Sequence, residues 1–188
     1  MSVQSAQPAR SSGAAIGVLL SLTLVGLLAL MWLALSAFVL AQSFFGGLPI
    51  DGIHCDRQEG AAEHIHAHLS LYDRGRAVAL PANVGIPMSA QCLYWLHTHS
   101  DDGVIHIESP VRRTFTLGEF FDIWGPELSA TRAGPVVAPQ RRRLVIVVNG
   151  KPWSGDPRAI VLHDHESIVI QNGPPFAHPP SPDWSKLG

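Results

Sequence analysis

Cysteine is scarce in this chain, which has only two, Cys55 and Cys92, among its 188 residues. In an oxidising compartment such a pair most simply forms a disulfide, and the closed loop would stabilise the fold by roughly 3 kcal/mol. The alternative is that Cys92 is a free thiolate that binds metal, as in a blue-copper site. Met88, the axial-ligand candidate, precedes Cys92 and so stands in the wrong order for the usual copper loop. We therefore predict a Cys55–Cys92 disulfide.

Charge is missing altogether from residues 14–41. As a helix this stretch would be roughly 40 Å long, which exceeds the roughly 30 Å of a bilayer core. A cleaved signal peptide is the alternative, but the apolar region of such a peptide runs to only about 15 residues. We predict an uncleaved transmembrane helix at 14–41, with a disordered tail at 1–13 before it and a tether at 42–53 after it.

Positive charge is also missing just beyond that stretch, since Arg10 precedes it and no Lys or Arg follows it until Arg57. This asymmetry favours a cytoplasmic N-terminus. We expect a single-pass protein of the cell membrane whose C-terminal domain is extracytoplasmic. The net charge of −2 gives no strong attraction to nucleic acid, so no nucleic-acid partner is expected. The sequence does not identify a protein partner.

The familiar catalytic motifs are absent, because the chain has no His-Glu-x-x-His helix, no Gly-x-Ser-x-Gly elbow and no phosphate-binding glycine loop. Strand patterns dominate instead. Residues 64–72 alternate polar and apolar side chains with the period of two that is typical of a half-buried strand. Thr116 and Glu119 fit a capping box that begins a short helix.

These patterns predict a mainly β domain at 54–173, folded as a small β-sandwich or barrel with one short helix. The transmembrane helix precedes this domain. Residues 174–188 are rich in proline, which excludes helix and central strand, so we expect an extended C-terminal tail.

Histidine is the residue in excess: the chain has ten, and all of them follow the apolar stretch. His64, His66 and His68 occupy alternate positions of one predicted strand. Alternate side chains project from the same face of a strand, roughly 6.5 Å apart, so that neighbouring members can converge on one ion.

A second group comprises His97, His99, His106 and Glu108. If Asp102–Gly103 is a two-residue hairpin turn, His99 faces His106 and His97 faces Glu108, and directly opposed side chains share a face. One hairpin would then present three imidazoles and a carboxylate on one side.

Imidazole nitrogens with an occasional carboxylate suit a transition metal such as copper, zinc or iron. We expect the ligands to be His66, His68, His97, His99 and His106, with His64 and Glu108 next. The preferred function is metal binding, storage or sensing. The alternatives are a metalloenzyme, such as an oxidoreductase, that uses the same histidines, and a metal-free interaction or structural domain. A row of histidines can also serve as the polar face of a strand or as a pH-responsive surface.

Several segments together resemble a family of exported or membrane-anchored bacterial and archaeal proteins with no assigned activity. The resemblance is carried by residues 64–66, 96–99, 103–110, 115–125 and 148–152, and it covers most of residues 54–171. Members of that family often have Asp where this chain has Ser100. The resemblance implies a single exported domain and implies no chemistry.

Overall fold

The computed structural model describes residues 25–35, 47–140 and 142–186, and the chain divides into two compact units, Met1–Phe44 and Phe45–Gly188. In the first unit, residues 25–35 form a helix (α1) with exposed side chains. Within the described ranges, no helix is both long enough and apolar enough to cross a membrane. The predicted tail at 1–13, most of the predicted transmembrane helix and the first part of the tether lie outside those ranges.

The second unit contains eleven short strands, one α-helix and two 3-10 turns among its described residues. In chain order the strands are β1 Cys55–Asp56, β2 Glu63–Asp73, β3 Arg76–Val78, β4 Leu93–Tyr94, β5 Leu96–His97, β6 Val104–Ser109, β7 Arg132–Ala133, β8 Val136–Val137, β9 Val145–Val148, β10 Lys151–Pro152 and β11 Glu166–Asn172. Helix α2 spans Leu117–Trp124, and the 3-10 turns span Pro157–Ala159 and Trp184–Lys186. The prediction of a mainly β domain with a short helix is confirmed.

Seven of the strands form one mixed sheet in the order β10-β9-β11-β2-β6-β5, with β3 paired to the end of β2. Strand β11 runs parallel to β2, and the other pairs are antiparallel. Two small two-stranded sheets, β1–β4 and β7–β8, lie outside it. In place of the predicted sandwich or barrel, the main sheet of the described residues is open, because its edge strands β10 and β5 do not pair with each other.

Two hairpins have tight two-residue turns. Arg74 and Gly75 connect β2 to β3 with φ of 49° and 75°, and Asn149 and Gly150 connect β9 to β10 with φ of 48° and 76°. Positive φ at both central residues produces the tight turn whose twist matches that of the paired strands.

The sheet has one apolar face and one polar face. Ala67, Leu69 and Leu71 of β2 are buried in the core, together with isoleucines of β6 and β11 and the two phenylalanines of α2. The helix begins at the predicted capping box, with the Thr116 side chain accepting from the Glu119 amide. The histidines of β2 alternate with these core residues, so they lie on the opposite face.

The segment predicted as an extended tail packs against the same unit. The amide of Ala177 donates to Oε1 of Gln171 at 2.8 Å, and the Trp184 ring lies 4.8 Å from that of His165. A cavity of about 570 Å³ is lined by His68 and residues 179–183. The tail therefore lies along the polar face of the sheet, next to the end of the histidine row.

Candidate metal centre

Three adjacent strands place one histidine each in a continuous row. His66 of β2 pairs directly with His106 of β6, and His106 pairs with His97 of β5. The His66 and His106 ring centroids lie 4.7 Å apart, and the His97 and His106 rings stack 5.4 Å apart at 11°. The sequence therefore brings together on one face histidines from two separate stretches of chain.

The predicted register of the β5–β6 hairpin is wrong, although the predicted face is right. His106 faces His97 and not His99, and the connection is a six-residue loop, Thr98–Gly103. Strand β5 ends because buried Thr98 bonds a different segment: its hydroxyl donates to the Pro81 carbonyl at 2.8 Å and accepts from the Val84 amide at 3.0 Å. The shift is an even number of residues, so every side chain keeps its face.

Four side chains converge on the polar face at the β5–β6 edge. One ligand atom from each lies within 4.8 Å of all the others in the group His97, His99, His106 and Glu108, here called the inner cluster. His97 and Glu108 are almost fully buried, with side-chain exposures of 0% and 3%, whereas His99 is 46% exposed. Three imidazoles and a carboxylate are a ligand set suited to zinc, copper or iron(II), and this cluster could hold one such ion.

The hydrogen bonds of His97 fix which of its nitrogens is free. Its Nδ1 lies 2.9 Å from the carbonyl oxygen of Tyr94, which can only accept, so Nδ1 carries the proton. Nε2 is then unprotonated and has a lone pair; it lies 3.2 Å from Nε2 of His99. A backbone carbonyl that orients the far nitrogen of an imidazole is the usual outer-shell arrangement for a metal-ligating histidine.

Glu108 carries an unsatisfied buried atom. Its Oε2 is buried and, among the described residues, accepts no hydrogen bond; Nε2 of His97 lies 3.7 Å from it. Burial of such an oxygen without a partner costs about 1–3 kcal/mol, and more when it is charged. Glu108 thus offers a lone pair to the space that the His97 lone pair also faces.

The electrostatics keep two imidazoles of the cluster, His97 and His106, neutral. Burial lowers the pKa of His97 to about 4, and burial together with the neighbouring histidines lowers the pKa of His106 to about 3. Burial, followed by the nearby Glu59 carboxylate, raises the pKa of Glu108. Neutral imidazoles are the form that binds metal, so His97 and His106 have free lone pairs at neutral pH.

A second group shares Glu108 with the inner cluster. His64, His66 and Glu108 also have ligand atoms within 4.8 Å of one another; we call this the outer group. Nε2 of His64 lies 3.5 Å from Oε1 of Glu108, and His64 is half-exposed. Burial lowers the pKa of His66.

The structure places His68 outside both groups, although we expected it to be a ligand. Its Nε2 lies 3.0 Å from the carbonyl oxygen of Asp102 and its Nδ1 lies 3.3 Å from the Ser70 hydroxyl. Both ring nitrogens therefore have protein partners, and His68 tethers the β5–β6 loop to β2.

The two cysteines form the predicted disulfide, Cys55–Cys92. No cysteine of the described residues is free, which removes the thiolate that the blue-copper alternative needed. The disulfide adjoins the small β1–β4 sheet, where Cys55 pairs with Tyr94, the residue whose carbonyl orients His97. Its structural role therefore extends to the edge of the inner cluster.

One acidic neighbour of the cluster was not predicted. Oε1 of Glu59 lies 3.9 Å from Nε2 of His99, and its charge acts on Glu108 as well. Glu59 lies in the loop between β1 and β2, where no periodic pattern marks it, so the sequence carried no signal for it. Comparison of the chain with protein-family models, curated proteins and solved structures finds no match.

Proposed function

We propose that this protein binds a divalent transition metal ion through the inner cluster, and that its role is to bind, store or sense the metal rather than to turn over a substrate. The observation that carries the proposal is the Oε2 atom of Glu108, which is buried without a hydrogen-bond partner. A metal ion beside it would bind both that oxygen and the unprotonated Nε2 of His97. The ion would also offset the cost of burying the carboxylate.

Exposure of His99 supports reversible binding. One ligand of the four is 46% exposed and borders solvent, whereas His97 is fully buried. An ion at this position can therefore enter and leave from the His99 side. A solvent-facing ligand suits exchange of the metal, because the ion need not pass through the buried core.

The ligand set supports binding over catalysis. Three imidazoles and one carboxylate supply four protein ligands, the number that fills a tetrahedral zinc site. A catalytic zinc site has three protein ligands and keeps the fourth position for water or substrate.

We further propose that the domain works outside the cytoplasm, held by the apolar stretch at 14–41. The disulfide supports an oxidising compartment, since cytosolic thiols are kept reduced. Cell fractionation tests this: the full chain should remain with membranes after a carbonate wash, and external protease should digest its C-terminal domain in intact spheroplasts. Recovery of the chain in the cytosol would contradict the proposal.

Metal analysis tests the binding proposal. The full chain, purified without an affinity histidine tag and dialysed against Zn²⁺, should retain at least about one ion per molecule. His99→Ala should lower the affinity at least tenfold, since loss of even an outer-shell partner typically costs about 10–100-fold. His163→Ala is the matched control, because His163 is exposed and belongs to neither group. Equal affinity in all three proteins, or no bound zinc, would overturn the proposal.

A further inference from the structure

Glu108 is the residue that the inner cluster and the outer group have in common, and its two oxygens face different histidines. Oε2 lies 3.7 Å from Nε2 of His97, on the inner side. Oε1 lies 3.5 Å from Nε2 of His64, on the outer side, and 3.3 Å from Nδ1 of His106. A carboxylate placed in this way can give one oxygen to each of two ions.

The outer group is held by the fold as firmly as the inner cluster. His64 pairs directly with Glu108 in the β2–β6 ladder, and His66 pairs with His106. The backbone of His66 is fixed from the other side as well: its amide donates to Oδ1 of Asp164 at 3.2 Å, and its carbonyl accepts from the His165 amide at 2.7 Å. The two imidazoles of the outer group therefore project from a part of β2 that pairs with β6 and is also bonded, at His66, to residues 164 and 165.

This face has more candidate ligands than one ion binds. Five imidazoles and a carboxylate lie together, whereas a tetrahedral zinc site takes four ligands. His97, His99, His106 and one Glu108 oxygen complete such a set. His64, His66 and the second Glu108 oxygen remain, and among the described residues this remainder forms a three-ligand group of its own.

We propose that the protein holds two metal ions, the second bound by His64, His66 and Oε1 of Glu108, with Glu108 bridging the pair. This proposal rests on the proposed function, because the first ion is its premise. The second site has three protein ligands and a half-exposed histidine, so its fourth position is open to water or to a small ligand. Paired ions held by a bridging group are a known form of metal site in proteins.

Copper loading of the full chain tests the proposal, with Cu²⁺ as the probe. After removal of free ion, the wild type should retain about two Cu²⁺ per chain, and its electron paramagnetic resonance spectrum should show the half-field signal of two neighbouring Cu²⁺ ions, because ions paired in one site lie only about 4 Å apart. His64→Ala/His66→Ala should retain about one Cu²⁺ and show no half-field signal. His163→Ala/His178→Ala, which removes two exposed histidines outside both groups, should behave as the wild type.

The contrary results distinguish failure of the second site from failure of the inner site. One copper in the wild type, or two in His64→Ala/His66→Ala, would overturn the second site and leave the inner site standing. Two coppers without a half-field signal in the wild type would place the ions too far apart for a Glu108 bridge and would also overturn the inference. No bound copper or zinc would overturn both proposals. Circular dichroism of each variant verifies that it is folded before its metal is counted.

Discussion

At the scale of single residues, burial of the Glu108 carboxylate costs folding free energy in the metal-free protein. It is 3% exposed, its Oε2 lacks a partner, and burial raises its pKa. An ionised carboxylate in such surroundings destabilises the fold in the absence of a cation. Loss of the Glu108 carboxylate should therefore lower the metal affinity and raise the stability of the metal-free protein.

Glu108→Gln should raise the melting temperature of the metal-free chain at pH 7 by about 2–4 °C, the shift that corresponds to about 1 kcal/mol for a chain of this size. The amide removes the buried charge, and its NH₂ can donate to the unprotonated Nε2 of His97. At one free zinc concentration, 100 times the Kd of the wild type, the wild type should gain about 2.7 kcal/mol and the variant less, because it keeps three of the four ligands. Scanning calorimetry with and without zinc measures both effects. A variant that is less stable than the wild type without metal and is stabilised by zinc as much as the wild type would refute this role for Glu108.

The lowered pKa values of His97 and His106 predict how stability depends on pH in the metal-free Glu108→Gln chain. Their folded values, about 4 and about 3, lie below the ordinary value of 6.5, so the unfolded chain binds more protons between these limits. Stability should therefore fall as pH decreases from about 6.5 to about 4, by up to about 1.4 kcal/mol per pH unit for each group.

Urea unfolding at pH 7, 6 and 5 measures this slope, and adding His106→Gln should reduce it. The glutamine background matters because the raised pKa of Glu108 contributes with the opposite sign. That carboxyl takes up a proton more readily when folded, so its contribution to stability decreases as pH rises above about 4.5. Stability that stays constant or increases on acidification would show that the imidazoles are not held neutral.

At the scale of elements, local pattern was sufficient for some features and insufficient for others. The alternation of residues 64–72, the hairpin turn at Asn149–Gly150 and the capping box of α2 are local, and each could be predicted from neighbouring residues. The end of β5 depends on Thr98 bonding to residues 81–84, which no local pattern shows. That long-range bond set the true register of the hairpin.

The β5–β6 loop owes its position to Gly103, and a substitution there should reveal this. Gly103 has φ of 90°, and a Cβ on it would meet the Leu69 carbonyl at 2.7 Å and the His68 ring at 3.0 Å. Gly150→Ala is the matched control, because Gly150 also has positive φ, 76°, but a Cβ there meets nothing within 4 Å.

Gly103→Ala should therefore lose about 1–3 kcal/mol more stability than Gly150→Ala, since both variants carry the same kind of backbone strain and only the first adds a backbone clash. Chemical denaturation of the two variants measures the difference. Equal losses would indicate that the loop has space that the structure does not show.

At the scale of the whole molecule, the features that could not be predicted are those that join distant parts of the chain. The parallel pairing of β11 with β2 aligns Ala67 with Glu166, and the C-terminal segment places the Trp184 ring against that of His68, so both features join residues about 100 or more positions apart. Glu59 approaches His99 of the inner cluster from the loop between β1 and β2, whose sequence has no periodic pattern. The disulfide could be predicted because two cysteines allow only one pairing within the chain.

That disulfide should carry a large share of the stability of the domain. It closes a separation of 37 residues, for which restriction of the unfolded chain is worth about 3–4 kcal/mol. Cys55→Ala/Cys92→Ala should lose about that much in urea unfolding and should keep its zinc stoichiometry, because no sulfur belongs to either group of ligands. An unchanged unfolding curve, or loss of the bound zinc from a folded variant, would contradict this assignment.

Imidazoles from separate strands should bind one common ion. Nitrogen NMR of the histidine side chains observes this directly. In the metal-free full chain, His97 should show the Nδ1-protonated tautomer. One equivalent of Zn²⁺ should shift the ring nitrogens of His97, His99 and His106 together and leave those of His68 and His163 unchanged. Independent or absent shifts of the three cluster rings would show that no common ion joins them.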